Sequence, residues 1–290
     1  MSKALSPERW AFKITNILNA VLGPEHFPIN VQEVAKEVSA QLFQDEPITK
    51  IEGITIPGFE GALFKDPAGK KGWAIFYNDG FKSRGRVNFT LAHEFGHYLI
   101  HRLKYPEGIQ CQERDLIRWE SELGQVEHQA NKFAATLLMP LDDYRKQIPD
   151  HETISLDMMD FITERYGVSL LAALLRWIDY TSKRAVLVVS RSGFILWARS
   201  SKAALRTQAY FRTATSSPIE ISSASLAARP SEFGAEAARL GLNHNSGVWF
   251  NEPCEEITVF ADQYDFTISI IQLGKDPGYS HYRSEVSSPR

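Results

Sequence analysis

The sequence is poor in cysteine: two residues, Cys111 and Cys254, stand 143 positions apart with no CxxC pair among 290 residues. That excludes a disulfide framework and a cysteine-rich zinc module, and it fits free thiols in a reducing compartment. Long apolar runs are missing too. The longest, FAATLLMPL and SLLAALL, fall well short of the roughly 18 residues needed to cross a bilayer. The N-terminal MSKALSPERWAFKITN is polar where a secretory leader needs an apolar core, so the expected location is cytoplasmic, with no membrane partner. There is no excess charge of one sign: 32 Lys+Arg face 35 Asp+Glu, for a net charge of −3. This balance argues against the nucleic-acid backbone as the main partner. Repeats and low-complexity tracts are absent, and 43% hydrophobic with 23% charged residues suits a globular chain of about two domains.

Residues 7–22 and 31–43 carry apolar side chains at three- and four-residue spacings and read as amphipathic helices, the first opening at Pro7 and ending at Gly23-Pro24. From Ile48 to Phe89 short β-type runs follow: ITKIEGITI, GALF, GWAIFY and RVNF. Helical patterning returns in TLAHEFGHYLIHRL, VEHQANKFAATLLM and SLDMMDFITERYGVSLLAALLRWIDY. The expected class is α+β, with a first domain over 1–184 that includes a helical unit at about 150–180. The composition shifts near TSKR (Thr181–Arg184). A hairpin, AVLVVS and GFILWAR across an SRSG turn, then opens a smaller α+β domain at 185–275. VWF, EITVFA and FTISIIQL read as its later strands, and 276–290 as a flexible tail.

The chemistry sits in His93-Glu94-Phe95-Gly96-His97. Residues four apart share a helix face about 6 Å apart along the axis, so the two imidazoles can converge on one metal ion. The adjacent Glu94 carboxylate can then take a proton from water activated there. VNFTLA reads as a strand leading into the helix, with Thr90 as N-cap. A catalytic zinc site needs a third protein ligand. His101 is eight residues beyond His93, about 12 Å of rise, too far for one ion, which leaves it on the surface or behind the ligands. Glu127, in EHQANKFAA, is the better candidate. An apolar stripe of Ala130, Phe133, Ala134, Leu137 and Leu138 would pack its helix on the first, and Asn131, one turn on, can hold a ligand by hydrogen bond. Glu120, Glu122, His128 and Asp142 stay open as rivals, His128 foremost, and a solvated carboxylate is the plain alternative for Glu127.

These two segments are similar to the ImmA/IrrE family of zinc metallopeptidases. Arg86, Phe89, Thr90, Ala92, His93, Glu94, Gly96, His97 and His101 match its RxxFTLAHExGHxxxH segment. Glu127, Ala130, Asn131, Phe133, Ala134, Leu137, Leu138, Met139 and Pro140 match its ExxANxFAxxLLMP segment. The resemblance implies a zincin-like domain with zinc held by His93, His97 and Glu127, and Glu94 as general base. It also implies a helix-turn-helix transcriptional repressor as protein substrate, cut to derepress stress-response or mobile-element genes, and a GAF-like sensor fold for the C-terminal domain. Gln129 stands where the family is often acidic, at a position with no inferred role.

Other expectations are less tightly drawn. Tyr77, Arg86, Tyr98, Tyr144 and His151 are the candidate donors to an anionic intermediate. Gly72–Tyr77 is the candidate strand for holding a peptide by strand addition, with plain sheet core as the alternative. The loop of about 26 residues from Arg102 to Glu127 offers a lid, and Cys111 in it a redox cap on the metal. Residues 160–169 followed by LLAALLRWI resemble a helix-turn-helix. However, Asp150–Lys183 carries six acidic residues against three Arg or Lys and His151, which disfavours phosphate contact. Trp197, Trp249 and Phe250 either line a pocket or fill core. A zinc-binding sensor that acts by partner binding without proteolysis is the competing function, and the presence of Glu94 favours hydrolysis.

Overall fold

The computed structural model describes residues 5–66, 71–81, 83–112, 122–213, 217–261 and 265–275, excepting the side chains of 110–112 and 122–123. They fall into two compact units, one within 1–147 and 161–172, the other within 148–160 and 173–290. Mixed α+β structure is present in each.

In the first unit, α1 (Pro7–Leu22) starts where Ser6 accepts from the Arg9 amide and stops at Gly23, whose φ of 82° suits glycine alone. α2 (Val31–Leu42) is capped by Asn30. A four-stranded sheet follows from β1 (Ile48–Ile54), β2 (Phe59–Lys65), β3 (Trp73–Asn78) and β4 (Gly108–Gln112), in the order β1-β3-β2-β4. β3 runs parallel to β1 and antiparallel to β2, and β4 pairs antiparallel with β2. The sheet carries α3 (Arg84–His101) on one face, and α4 (Glu122–Leu138) packs along α3 through the Gly96 notch against Ala130 and Phe133. α5 (Leu141–Gln147) presents buried Asp143, which accepts from Arg165 and Tyr166 near the end of α6 (Leu156–Tyr166). α7 (Leu170–Tyr180) follows a break at Gly167, and its residues from Ala173 on belong to the second unit.

Three expectations are corrected here. RVNF (residues 86–89) is not a strand. α3 begins at Arg84, capped by Ser83 accepting from the Arg86 amide at 3.3 Å, so Thr90 lies inside the helix. The β-branched and aromatic residues there are overruled by packing: Gly85 lies directly against the Val168–Ser169 backbone. Gly72–Tyr77 cannot add a peptide strand, because β3 is hydrogen-bonded on both sides. Finally, the 102–127 segment is not all loop, since β4 forms within it; residues 113–121 lie outside the described ones.

The second unit holds a six-stranded antiparallel sheet. Its strands are β5 (Ala185–Arg191), β6 (Phe194–Ser200), β7 (Ile219–Glu220), β8 (Leu242–His244), β9 (Cys254–Ala261) and β10 (Phe266–Leu273), in the order β7-β6-β5-β10-β9-β8. The β5–β6 hairpin turns at Ser192 and Gly193, both at positive φ, as the short loop predicts. α8 (Lys202–Arg206) and α9 (Pro230–Leu240) lie wholly within this unit. VWF is not a strand; its Phe250 makes only an isolated bridge to Glu252. Trp249 is buried and Phe250 packs beside it around Phe211, so these two aromatics are core. The core also buries Glu256, which accepts from the Leu226 and Ala227 amides, Trp249 Nε1 and Thr258 Oγ1, with His244 Nε2 at 2.8 Å.

Candidate active site

α3 presents His93 and His97 on one face, as the i,i+4 spacing requires, and α4 brings Glu127 against them. His93 Nε2 lies 2.9 Å from His97 Nε2 and 3.0 Å from Glu127 Oε2, while His97 Nε2 lies 3.3 Å from Glu127 Oε1. All three residues are buried, and one donor atom from each lies within 4.8 Å of the others. Tetrahedral ligands about 2.0–2.1 Å from zinc sit about 3.3 Å from one another, so this donor set fits a metal ion after slight expansion. The protonation pattern fits as well. Asn131 Oδ1 is 2.9 Å from His93 Nδ1. The amide oxygen can only accept, so Nδ1 carries the proton and the Nε2 lone pair is directed at the cluster.

Burial pulls the His97 pKa down to about 4, against the opposing pull of Glu127. Burial acts on His93 in the same direction, but the Glu127 and Glu94 carboxylates outweigh it and hold His93 above its ordinary value. Burial raises Glu127, yet its bonds to the two imidazoles hold it far below the usual carboxylate range. A neutral His97 beside an ionised Glu127 is the state a cation needs.

Glu94 is fully buried on the next position of α3, with β2 closing over it at Gly61. Neither of the two rivals to Glu127 with a described side chain is near burial: His128 and Asp142 are exposed. Glu120 and the side chain of Glu122 lie outside the described residues. Of the two places open to His101, the surface and behind the ligands, it takes the second: it is buried, with Nδ1 3.0 Å from His97 Nδ1 and Nε2 3.0 Å from Gln129 Oε1. Gln129 was assigned no role from the sequence. The available signal was its position two residues beyond Glu127, on the helix that the metal motif needs anyway.

The candidate oxyanion donors are differently disposed. Tyr98 is buried and donates to the Glu46 carbonyl at 2.7 Å, its hydroxyl pushed up to about 12 chiefly by burial. Arg86 pairs with Glu60 and lies over the Phe81 ring. Tyr144 stacks on Tyr166, Tyr77 accepts from Gln32 at 3.5 Å, and His151 is exposed in the other unit. The proposed redox cap falls on Cys111, whose side chain lies outside the described residues. Cys254 is buried, and burial pushes its thiol up to about 11, which makes it a poor nucleophile.

Residues 54–177 match the family model described as the IrrE N-terminal-like domain of peptidase M78. This segment belongs to the ImmA/IrrE family. The family segment contains the sheet strands β2 to β4 and both helices of the metal cluster, and its family is one of peptidases. Among solved structures, the chain is similar to a Mycobacterium tuberculosis transcriptional regulator. The two are 12% identical with a TM-score of 0.54, over 92% of this chain and 75% of that one. At that identity the likeness is one of fold alone. No curated protein matches the chain significantly. No helix among the described residues is long and apolar enough to cross a membrane.

Proposed function

We propose that the protein is a zinc-dependent endopeptidase that hydrolyses a peptide bond in one specific cytoplasmic protein, a helix-turn-helix transcriptional repressor, and so controls stress-response or mobile-element genes. The observation that carries the reading is the convergence of His93, His97 and Glu127, with Glu94 buried beside them. His93, His97 and Glu127 would hold the ion, and Asn131 would orient His93. When bound, zinc supplies Lewis acidity, polarising the scissile carbonyl and acidifying water. Manganese, cobalt or iron would also suit this donor set, so availability decides the metal.

In this reading Glu94 accepts one proton from the attacking water as the new C–O bond forms. It passes that proton to the amide nitrogen as the C–N bond breaks, which releases a neutral amine. Burial of Glu94 keeps bulk water from competing for the proton. The family match over 54–177 supports the peptidase reading. The name of the structural neighbour, a transcriptional regulator, is consistent with a place in gene control. The 1–184 segment is proposed as a zincin-like peptidase domain and 185–275 as a GAF-like sensory one.

The test pairs wild type with Glu94→Gln. Metal content per chain is measured, and each protein is incubated with the helix-turn-helix proteins encoded nearest its gene. Stoichiometric zinc in both, with cleavage by wild type alone, is expected. Zinc without cleavage of any such protein would favour the binding-only sensor, and no zinc would sink the proposal.

A further inference from the structure

We infer that His101 and Gln129 are positioning residues, a two-link relay that holds the His97 imidazole in the tautomer with its Nε2 lone pair turned toward the metal. The inference rests on the metallopeptidase reading of the same site. His97 Nδ1 and His101 Nδ1 are 3.0 Å apart, and two ring nitrogens at that distance share one hydrogen. If His101 supplied it, the hydrogen of a neutral His97 would lie on Nε2, 2.9 Å from His93 Nε2 and inside the cluster of ligands. If His97 supplies it, His101 must carry its own hydrogen on Nε2, which then needs an acceptor. Gln129 Oε1 stands there at 3.0 Å.

With the Gln129 amide oxygen turned inward, a carbonyl that can only accept dictates the state of two rings farther in. His101 Nε2–H donates to Gln129, His97 Nδ1–H donates to His101 Nδ1, and His97 Nε2 is left as a ligand. His97 is fully buried and His101 is 4% exposed, so water has little access to replace the inner link. The outer link ends at exposed Gln129. α4 thus supplies one metal ligand, Glu127, and two amides. Asn131 orients His93 directly, and Gln129 orients His97 through His101. Loss of such outer contacts typically weakens metal binding about 10- to 100-fold.

The test uses the full-length protein. Histidine ¹⁵N labelling reads the tautomers of the zinc-loaded wild type, and chelator competition reads zinc affinity for Gln129→Leu, Gln129→Glu and His101→Phe. Expected are Nδ1–H on His93 and His97, and Nε2–H on His101. Zinc affinity should fall about tenfold in Gln129→Leu and further in His101→Phe. It should be retained or raised in Gln129→Glu, whose carboxylate only accepts. Gln129 is exposed, so its variants stay informative even if His101→Phe fails to fold. A zinc-loaded protein with His101 protonated on Nδ1, or with wild-type affinity in Gln129→Leu, would overturn the relay and leave the peptidase reading standing. A wild type that binds no zinc would remove both.

Discussion

Gly61 on β2 and Glu94 on α3 are in such close apposition that a Cβ at Gly61 would meet Glu94 Oε1 at 2.6 Å and Thr90 Cγ2 at 2.7 Å. The strand backbone therefore forms one wall of the Glu94 site, and only a residue without a side chain permits it. Both obstructing atoms are side-chain ends, so Gly61→Ala should fold while displacing the carboxylate. A displacement of about 1 Å of a reacting group costs on the order of 100-fold in rate. For the proposed zinc peptidase, the expected outcome is a zinc content equal to wild type with kcat lowered about 100-fold. Unchanged kcat would show that the carboxylate is not held by that wall.

Metal binding should also be visible as stability, because an ion that binds only the folded state shifts unfolding by mass action. At free zinc about 1,000 times Kd the gain is about 4 kcal/mol, on the order of 10 °C in Tm for a domain of this size. Chelation should reverse it. Glu127→Ala should abolish the zinc-dependent shift and Glu94→Gln should keep it, since Glu94 is not one of the three converging ligands. A shift that survives in Glu127→Ala, measured by scanning calorimetry with and without chelator, would place the third ligand elsewhere.

Asp143 gives the unit that holds this site a definite response to acid. Burial raises its pKa, but hydrogen bonds from Arg165 and the Tyr166 hydroxyl outweigh burial and hold it below the usual aspartate value. A carboxylate depressed in the folded state stabilises fully above its unfolded pKa, and that contribution is lost as pH falls through the lower folded value. Asp143→Asn should therefore cost about 3 kcal/mol at pH 7. In urea titrations the gap to wild type should narrow as pH drops below the ordinary aspartate pKa of about 3.9. A deficit of the same size at pH 3 and pH 7 would mean that shape, not charge, is what Asp143 contributes.

Much of this was legible in the sequence wherever the cause was local. The span of α1 followed from its apolar spacing, with Pro7 at its start and Gly23 past its end. The β5–β6 hairpin followed from SRSG between two apolar runs. The convergence of His93 and His97 follows from helix geometry alone; the apolar stripe favours Glu127, and only burial in the folded chain separates it from exposed His128 and Asp142. What failed was non-local. Val87 and Phe89 look like strand residues, and only the packing of Gly85 on Val168 and Ser169 and the Ser83 cap carry the helix back over them. Strand order has no local signature either, so nothing in Gly72–Tyr77 shows that β1 closes one edge of β3 and β2 the other. Gln129 was illegible for the same reason: its partner, His101, is on another helix.

In the second unit the buried carboxylate of Glu256 is the feature with the largest expected energetic consequence. Its Oε2 faces the Leu226 amide and Trp249 Nε1, with His244 Nε2 at 2.8 Å, while Oε1 faces the Ala227 amide and the Thr258 hydroxyl. Donors crowd both oxygens, so Glu256→Gln has no good orientation: its amide NH₂ must point at a donor N–H whichever way it is turned. Each unsatisfied buried donor costs about 1–3 kcal/mol, and breaking a buried charged network about 3–5 kcal/mol. Glu256→Gln should therefore lose about 3 kcal/mol or more despite conserving shape. The Trp249 indole N–H resonance, followed through a urea titration, reports that loss at the site itself. A change below about 1 kcal/mol would show that the network tolerates a neutral centre and that the charge of Glu256 is dispensable to the fold.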